Sequence, residues 1–212
     1  MNEHPNLLLF EGTERTTHHL VMVVGQEPNN TGRMVHGIGH YPERAITTGT
    51  RENVPFWDRG FGVVARAAGL SGPAELKRLV RERGSSPVAF SDVSPRPLPS
   101  GTASKGDLYA GIPDEEFEEH AGAVFSHAIV RDRVDLVILA GTRLNGLDHG
   151  SRIFEQACIE AGKRFVRIAS LSARTTPRRV WDEPLKPWRS TIAACVADLP
   201  PRQPEPAFPV AA

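Results

Sequence analysis

The chain has 212 residues, 40 % of them apolar and 24 % charged, which suits one globular domain with a full hydrophobic core. It contains no run of about 18 apolar residues, so no membrane span is expected. Lys plus Arg (25) balance Asp plus Glu (25), which excludes any inference of a nucleic-acid partner from global charge.

The opening MNEHPNLLLFEG carries a short apolar run with no basic segment ahead of it, unlike a signal peptide. Residues 20–25 (LVMVVG) form a continuous apolar run ending in glycine and read as a buried strand. A polar, glycine-rich stretch follows to residue 55. Over residues 56–69, Phe56, Val63, Val64 and Ala67 recur at helical spacing, with Gly69 as the C-cap. The charged segment 73–83 predicts a second helix. Residues 87–93 (PVAFSDV) predict a short strand, stopped by the proline-rich SPRPLPSG. A helix is predicted over 114–131, with acidic residues in its first turns and Phe117, Ala121, Val124, Phe125 and Ala128 along one face. Residues 134–140 (VDLVILA) are a strand before Gly141, 150–162 a helix ending at Gly162, 164–169 a strand, and 184–198 a last helix. Residues 1–198 are read as one domain and 199–212 as a proline-rich, disordered tail.

Strands alternating with helices predict an α/β fold, a three-layer sandwich with a central, mostly parallel four-stranded sheet flanked by helices. Ligands of such sheets bind beyond the carboxyl ends of the strands. That singles out the loops at 25–32, 91–98, 141–148 and 169–178. The first, GQEPNNTG, presents backbone N–H groups and the carboxylate of Glu27. The second holds Ser91 and Asp92, and the fourth, ASLSARTTPRR, is small and hydroxylic and then basic. Arg164, Arg167, Arg174, Arg178, Arg179, Lys186 and Arg189 face only Asp182 and Glu183 along the same stretch, so a local basic face is available. Cys158 and Cys195 are too few for a disulfide framework or a four-cysteine cluster. His36 and His40 have the i, i+4 spacing of a metal pair, but Gly37 and Gly39 argue against a helix there. No cofactor and no metal site are expected, and the chain is read as a cytoplasmic monomer.

Four segments in order resemble the uracil-DNA glycosylase superfamily. VVGQEPN is similar to its first motif, which reads GQDPY, GINPG or GEAPG in other members. HYPERAITTGTRENVPFW and the following VVARAAGL resemble the mismatch-specific branch. FSDVSPRP resembles the strand end that reads the base, and residues 113–141 have the helix-then-strand form that precedes the third loop. The resemblance spans roughly residues 18–195. It departs at the second catalytic motif: Ser170-Leu171-Ser172-Ala173-Arg174 stands where a His or Asn would head the segment. Asp92 stands where several branches place an Asn.

The resemblance implies hydrolysis of an N-glycosidic bond in DNA. Positive charge grows on the sugar and negative charge on the leaving base, so a carboxylate beneath the sugar lowers the barrier and orients water. It implies Glu27 for that role, with backbone N–H groups near Gln26 and at Asn29 and Asn30 holding the base oxygen. Asp92 or Ser91 would read the base edge, and Phe90 or Trp57 would stack on a flipped base. Ser170, Ser172, Arg174, Arg178 and Arg179 would contact DNA, with Arg174 placed to enter the vacated stack. An ionised Asp92 accepts from an exocyclic amino group, which favours a modified cytosine-type base over uracil. Simpler readings stand beside these: Glu27 as a turn residue, Asp92 as a turn cap, Phe90 and Trp57 as core, and the basic run as a solvated face. A DNA-binding protein without catalysis and a nucleoside or nucleotide hydrolase remain the alternatives, as do repair and restriction of modified phage DNA as roles.

Overall fold

The computed structural model describes residues 3–26, 33–40, 46, 55–96, 109, 111–142, 147–171 and 179–202. The strands are β1 (Glu3–Leu9), β2 (Leu20–Gly25), β3 (Arg33–His40), β4 (Val88–Asp92), β5 (Val134–Ala140) and β6 (Arg164–Ile168). The helices are α1 (Pro55–Ala67), α2 (Pro73–Arg83), α3 (Asp114–Ser126), α4 (Ala128–Arg133), α5 (Asp148–Glu160), α6 (Arg179–Leu185) and α7 (Arg189–Ala197). Among the described residues, no helix is long and apolar enough to cross a membrane.

The fold is α/β, with one mixed, mostly parallel sheet flanked by helices. Among the described residues it has six strands in the order β3-β1-β4-β2-β5-β6, where the sequence predicts four. The four predicted strands are its parallel core, β4-β2-β5-β6. The two additional strands form an arm: β3 runs parallel to β1, and β1 meets β4 antiparallel through Leu8 and Phe90. Both escape a periodicity reading for physical reasons. Pro5 lies beside a register shift in β1, and Gly37 and Gly39 dilute β3 with residues that strands disfavour.

Successive residues of β2 face opposite sides of the sheet. Val21 and Val23 join Phe61, Val64, Phe90, Ile138, Trp181 and Ile192 on the side covered by α1, α2, α6 and α7. Leu20, Met22 and Val24 join Phe117, Val124, Leu139 and Phe154 on the side covered by α3, α4 and α5. All of β2 is buried, which is why its sequence is uniformly apolar.

The helix predicted over 114–131 breaks at His127, whose backbone is extended at φ −60° and ψ 128° and whose Nδ1 accepts from the Ile129 amide at 3.2 Å. The helix predicted over 184–198 is divided by a 3-10 turn at Lys186–Trp188. Pro187 lies within that turn and has no amide hydrogen to continue an α-helical ladder. Past residue 198 the chain still packs: Leu199 is buried, and Arg202 lies against Gly84.

Candidate active site

The four parallel strands stand in the order second, first, third, fourth, so the direction of winding reverses between β2 and β5. In open α/β sheets the ligand crevice opens at that reversal, beyond the carboxyl ends. Gln26 occupies the gap. Its side-chain Nε2 donates to the Gly141 carbonyl at 2.8 Å, tying the end of β2 to the end of β5. Its own carbonyl accepts from the Ser94 amide at 2.9 Å, and the Val93 amide donates to the Gly25 carbonyl at 3.0 Å. Gly141 has φ of +66° and lies so close to Ser170 that a side chain has no room there; its amide donates to the Ile168 carbonyl at 2.9 Å. From α1, Arg59 Nη1 donates to the Leu171 carbonyl. The ends of all four parallel strands are thus tied to one another or to α1.

Gly25 and Asp92 are register partners. A methyl group built on Gly25 would lie 2.7 Å from Asp92 Oδ1 and 3.0 Å from Phe56 Cζ. The Asp92 carboxylate and the Phe56 ring therefore share the space above Gly25, and glycine is what leaves that space open. Both side chains are half-buried. Phe90, the other aromatic that the resemblance implies for stacking, lies in the core at 1 % exposure. Its ring sits edge-on to Phe56 at 5.8 Å and to Phe61 at 5.6 Å. Trp57 is half-buried and packs against the same core. Ser91 is buried, one residue out of phase with Asp92 and hence on the other face of the sheet.

Glu27, Asn29, Asn30, Ser172, Arg174 and Arg178 lie outside the described residues. Arg179 opens α6, and Ser170 is half-buried beside Gly141. His36 and His40 belong to β3, and His40 Nε2 lies 3.5 Å from Glu14 Oε2. Among the described residues, no three His, Cys, Asp or Glu side chains are grouped to hold a metal.

No protein-family model, curated protein or solved structure matches the chain. The chemistry therefore rests on the residues themselves. Phe56, Arg59 and Gly141 in the crevice, and the buried His120 behind Asp92, are not singled out by the sequence as site residues. Phe56 and His120 leave only the helical spacing of an apolar face, and Gly141 is a glycine directly after a strand. His120 is buried in α3, and its Nε2 donates to the Asp92 main-chain carbonyl at 2.7 Å.

A cavity of about 520 Å³ lies at the opposite end of the sheet, lined by His19, Asp135, Ala194, Cys195, Ala197 and Asp198. Its polar groups are turned on one another. His19 Nδ1 lies 3.1 Å from Asp135 Oδ1, and the His19 amide donates to Asp198 Oδ2 at 3.2 Å. Burial pushes the Cys195 thiol up to about 12, with Asp135 and Asp198 adding to the effect. A neutral thiol is a poor nucleophile, so the carboxyl-end crevice is the better candidate.

Proposed function

We propose that the chain is a DNA glycosylase that hydrolyses the N-glycosidic bond of a flipped-out pyrimidine, preferring a modified cytosine-type base to plain uracil. The observation that supports this most is the Gln26 bridge from β2 to Gly141 across the winding reversal. It braces the crevice immediately before Glu27, the next residue in the chain. A braced strand end keeps its own groups in place without reorganisation during reaction, which is what electrostatic stabilisation of a charged transition state needs.

In this reading Glu27 stabilises the positive charge that grows on the sugar and takes a proton from the attacking water. Water bonds to C1′, the C1′–N1 bond breaks, and the base departs with the electron pair and is protonated from solvent, to which Glu27 returns the proton it took. The products are a free base and an abasic site. Phe56, half-buried against the Gly25–Asp92 pair, offers the aromatic face for the flipped base in place of the buried Phe90. Asp92 accepts from an exocyclic amino group, which uracil lacks, having a carbonyl oxygen at that position. The backbone of the DNA is held by the basic segment around Arg174, Arg178 and Arg179.

The deciding experiment is mass spectrometry of free base released from duplex and single-stranded DNA carrying uracil, cytosine or bulky modified cytosines, with the free nucleosides alongside. Release from a modified-cytosine DNA, lost in Glu27→Gln at nearly unchanged DNA affinity, is the expected result. Release from nucleosides but not from DNA points to a nucleoside hydrolase. DNA binding with no release from any substrate points to a binding protein.

A further inference from the structure

A strand's carbonyl groups point alternately to its two neighbours. The Val93 amide donates to Gly25 in β2, so the Asp92 carbonyl faces the other way, toward β1. Among the described residues, the antiparallel register between β1 and β4 pairs Leu8 with Phe90. His120 reaches the Asp92 carbonyl from α3, with Nε2 at 2.7 Å from the oxygen. A carbonyl only accepts, so Nε2 carries the hydrogen. The ring is 1 % exposed and packs at 6.3 Å from Phe154, which in turn packs at 5.1 Å from Phe125. The imidazole therefore sits in a rigid part of the core.

The peptide after Asp92 is consequently held on both edges, by β2 through Val93 and by α3 through His120. Fixing that peptide fixes the direction in which the Asp92 side chain leaves the backbone. That side chain has little freedom, because its carboxylate shares the space over Gly25 with Phe56. We propose that His120 is a positioning residue: it aims the Asp92 carboxylate, and so sets which base edge the crevice accepts without touching the base. The inference rests on the reading of Asp92 as the group that meets the base.

The test compares His120→Phe, which keeps a ring but loses the donor, with His120→Gln, whose amide restores one. Single-turnover base release is measured on modified-cytosine and uracil DNA. The side-chain carboxyl ¹³C resonance of Asp92 is followed in the same proteins without DNA. His120→Phe lowers the rate ratio between the two substrates by about tenfold, within the usual worth of one base-edge contact. It also displaces the Asp92 resonance, and His120→Gln restores both. Equal loss of rate on both substrates, with the ratio and the resonance unchanged, would show that His120 only stabilises the fold and would overturn the proposal. If the wild type releases no base at all, the glycosylase reading fails on its own. The Asp92 resonance then decides the positioning role, which is upheld by displacement in Phe with recovery in Gln and overturned by an unmoved signal. Should His120→Phe not fold, His120→Asn, whose amide stops short of Asp92, takes its place.

Discussion

Replacing Gly25 with alanine drives a methyl group into the point where β2, β4 and α1 meet. The new carbon would lie 2.7 Å from Asp92 Oδ1 and 3.0 and 3.1 Å from two carbons of the Phe56 ring. The strands cannot part cheaply, because the Val93 amide is bonded to the Gly25 carbonyl at 3.0 Å. Phe56 cannot retreat freely either, since its ring packs edge-on to the buried Phe90. The carboxylate has to rotate away. Overpacking of this kind costs about 1–3 kcal/mol, which urea unfolding at neutral pH would read as a lower midpoint with an unchanged slope. On the proposed glycosylase reading, loss of the carboxylate from its place removes a base-edge contact worth about 1–3 kcal/mol, or about 5- to 150-fold in discrimination. Single-turnover base release on modified-cytosine and uracil DNA measures that ratio. The double variant Gly25→Ala/Asp92→Ser should recover most of the stability and none of the discrimination, because it removes the oxygen that the methyl group strikes. Wild-type stability together with a wild-type ratio in Gly25→Ala would refute the placement of Asp92 over Gly25.

Gly150→Ala in α5 would place a carbon 2.7 Å from two carbons of the Phe117 ring, and a loss of about 1–3 kcal/mol in urea unfolding is expected where these helices cross. Gly122→Ala in α3 meets nothing within 4 Å and should instead raise stability by about 0.5–1 kcal/mol, the usual gain for alanine over glycine in a helix. Burial holds the His18 imidazole below its ordinary 6.5, Arg133 adding to the effect and the hydrogen bond to the Ser86 carbonyl and the charge of Asp198 opposing it. The unfolded chain then takes up a proton before the folded one. Stability is therefore fully present above about pH 6.5 and falls as pH drops through that value toward the folded-state one; His18→Gln should flatten this part of a pH series of unfolding curves. Replacing Arg178 and Arg179 by alanine should lower the salt dependence of DNA binding by about one unit of log–log slope per lost phosphate contact, and an unchanged slope would make the run a solvated face.

Much of the fold is legible in the order of the residues because burial on both faces of a parallel strand is a local signal. LVMVVG, PVAFSDV and VDLVILA each announce a buried strand, RFVRIA reads as a strand although it forms the more exposed edge, and topology then points to the loops that follow them. Capping is equally local: Gly84 ends α2 in the left-handed conformation at φ +66°. The arm of β1 and β3 is different. Its strands contain proline and glycines, and they form because each finds a neighbour distant in sequence, a choice that no single segment encodes. The same holds within the crevice. Phe90 and Asp92 sit two residues apart on the same face of β4, yet the ring turns under α1 into the core while the carboxylate reaches the open end over Gly25. His120 falls on the apolar face of α3, three residues after Phe117 and four before Val124, a spacing that buries it without naming its partner. That partner is the Asp92 carbonyl, 28 residues earlier. Apolar periodicity is written along the chain, whereas the partner of a single buried polar group is decided only when distant elements pack against one another.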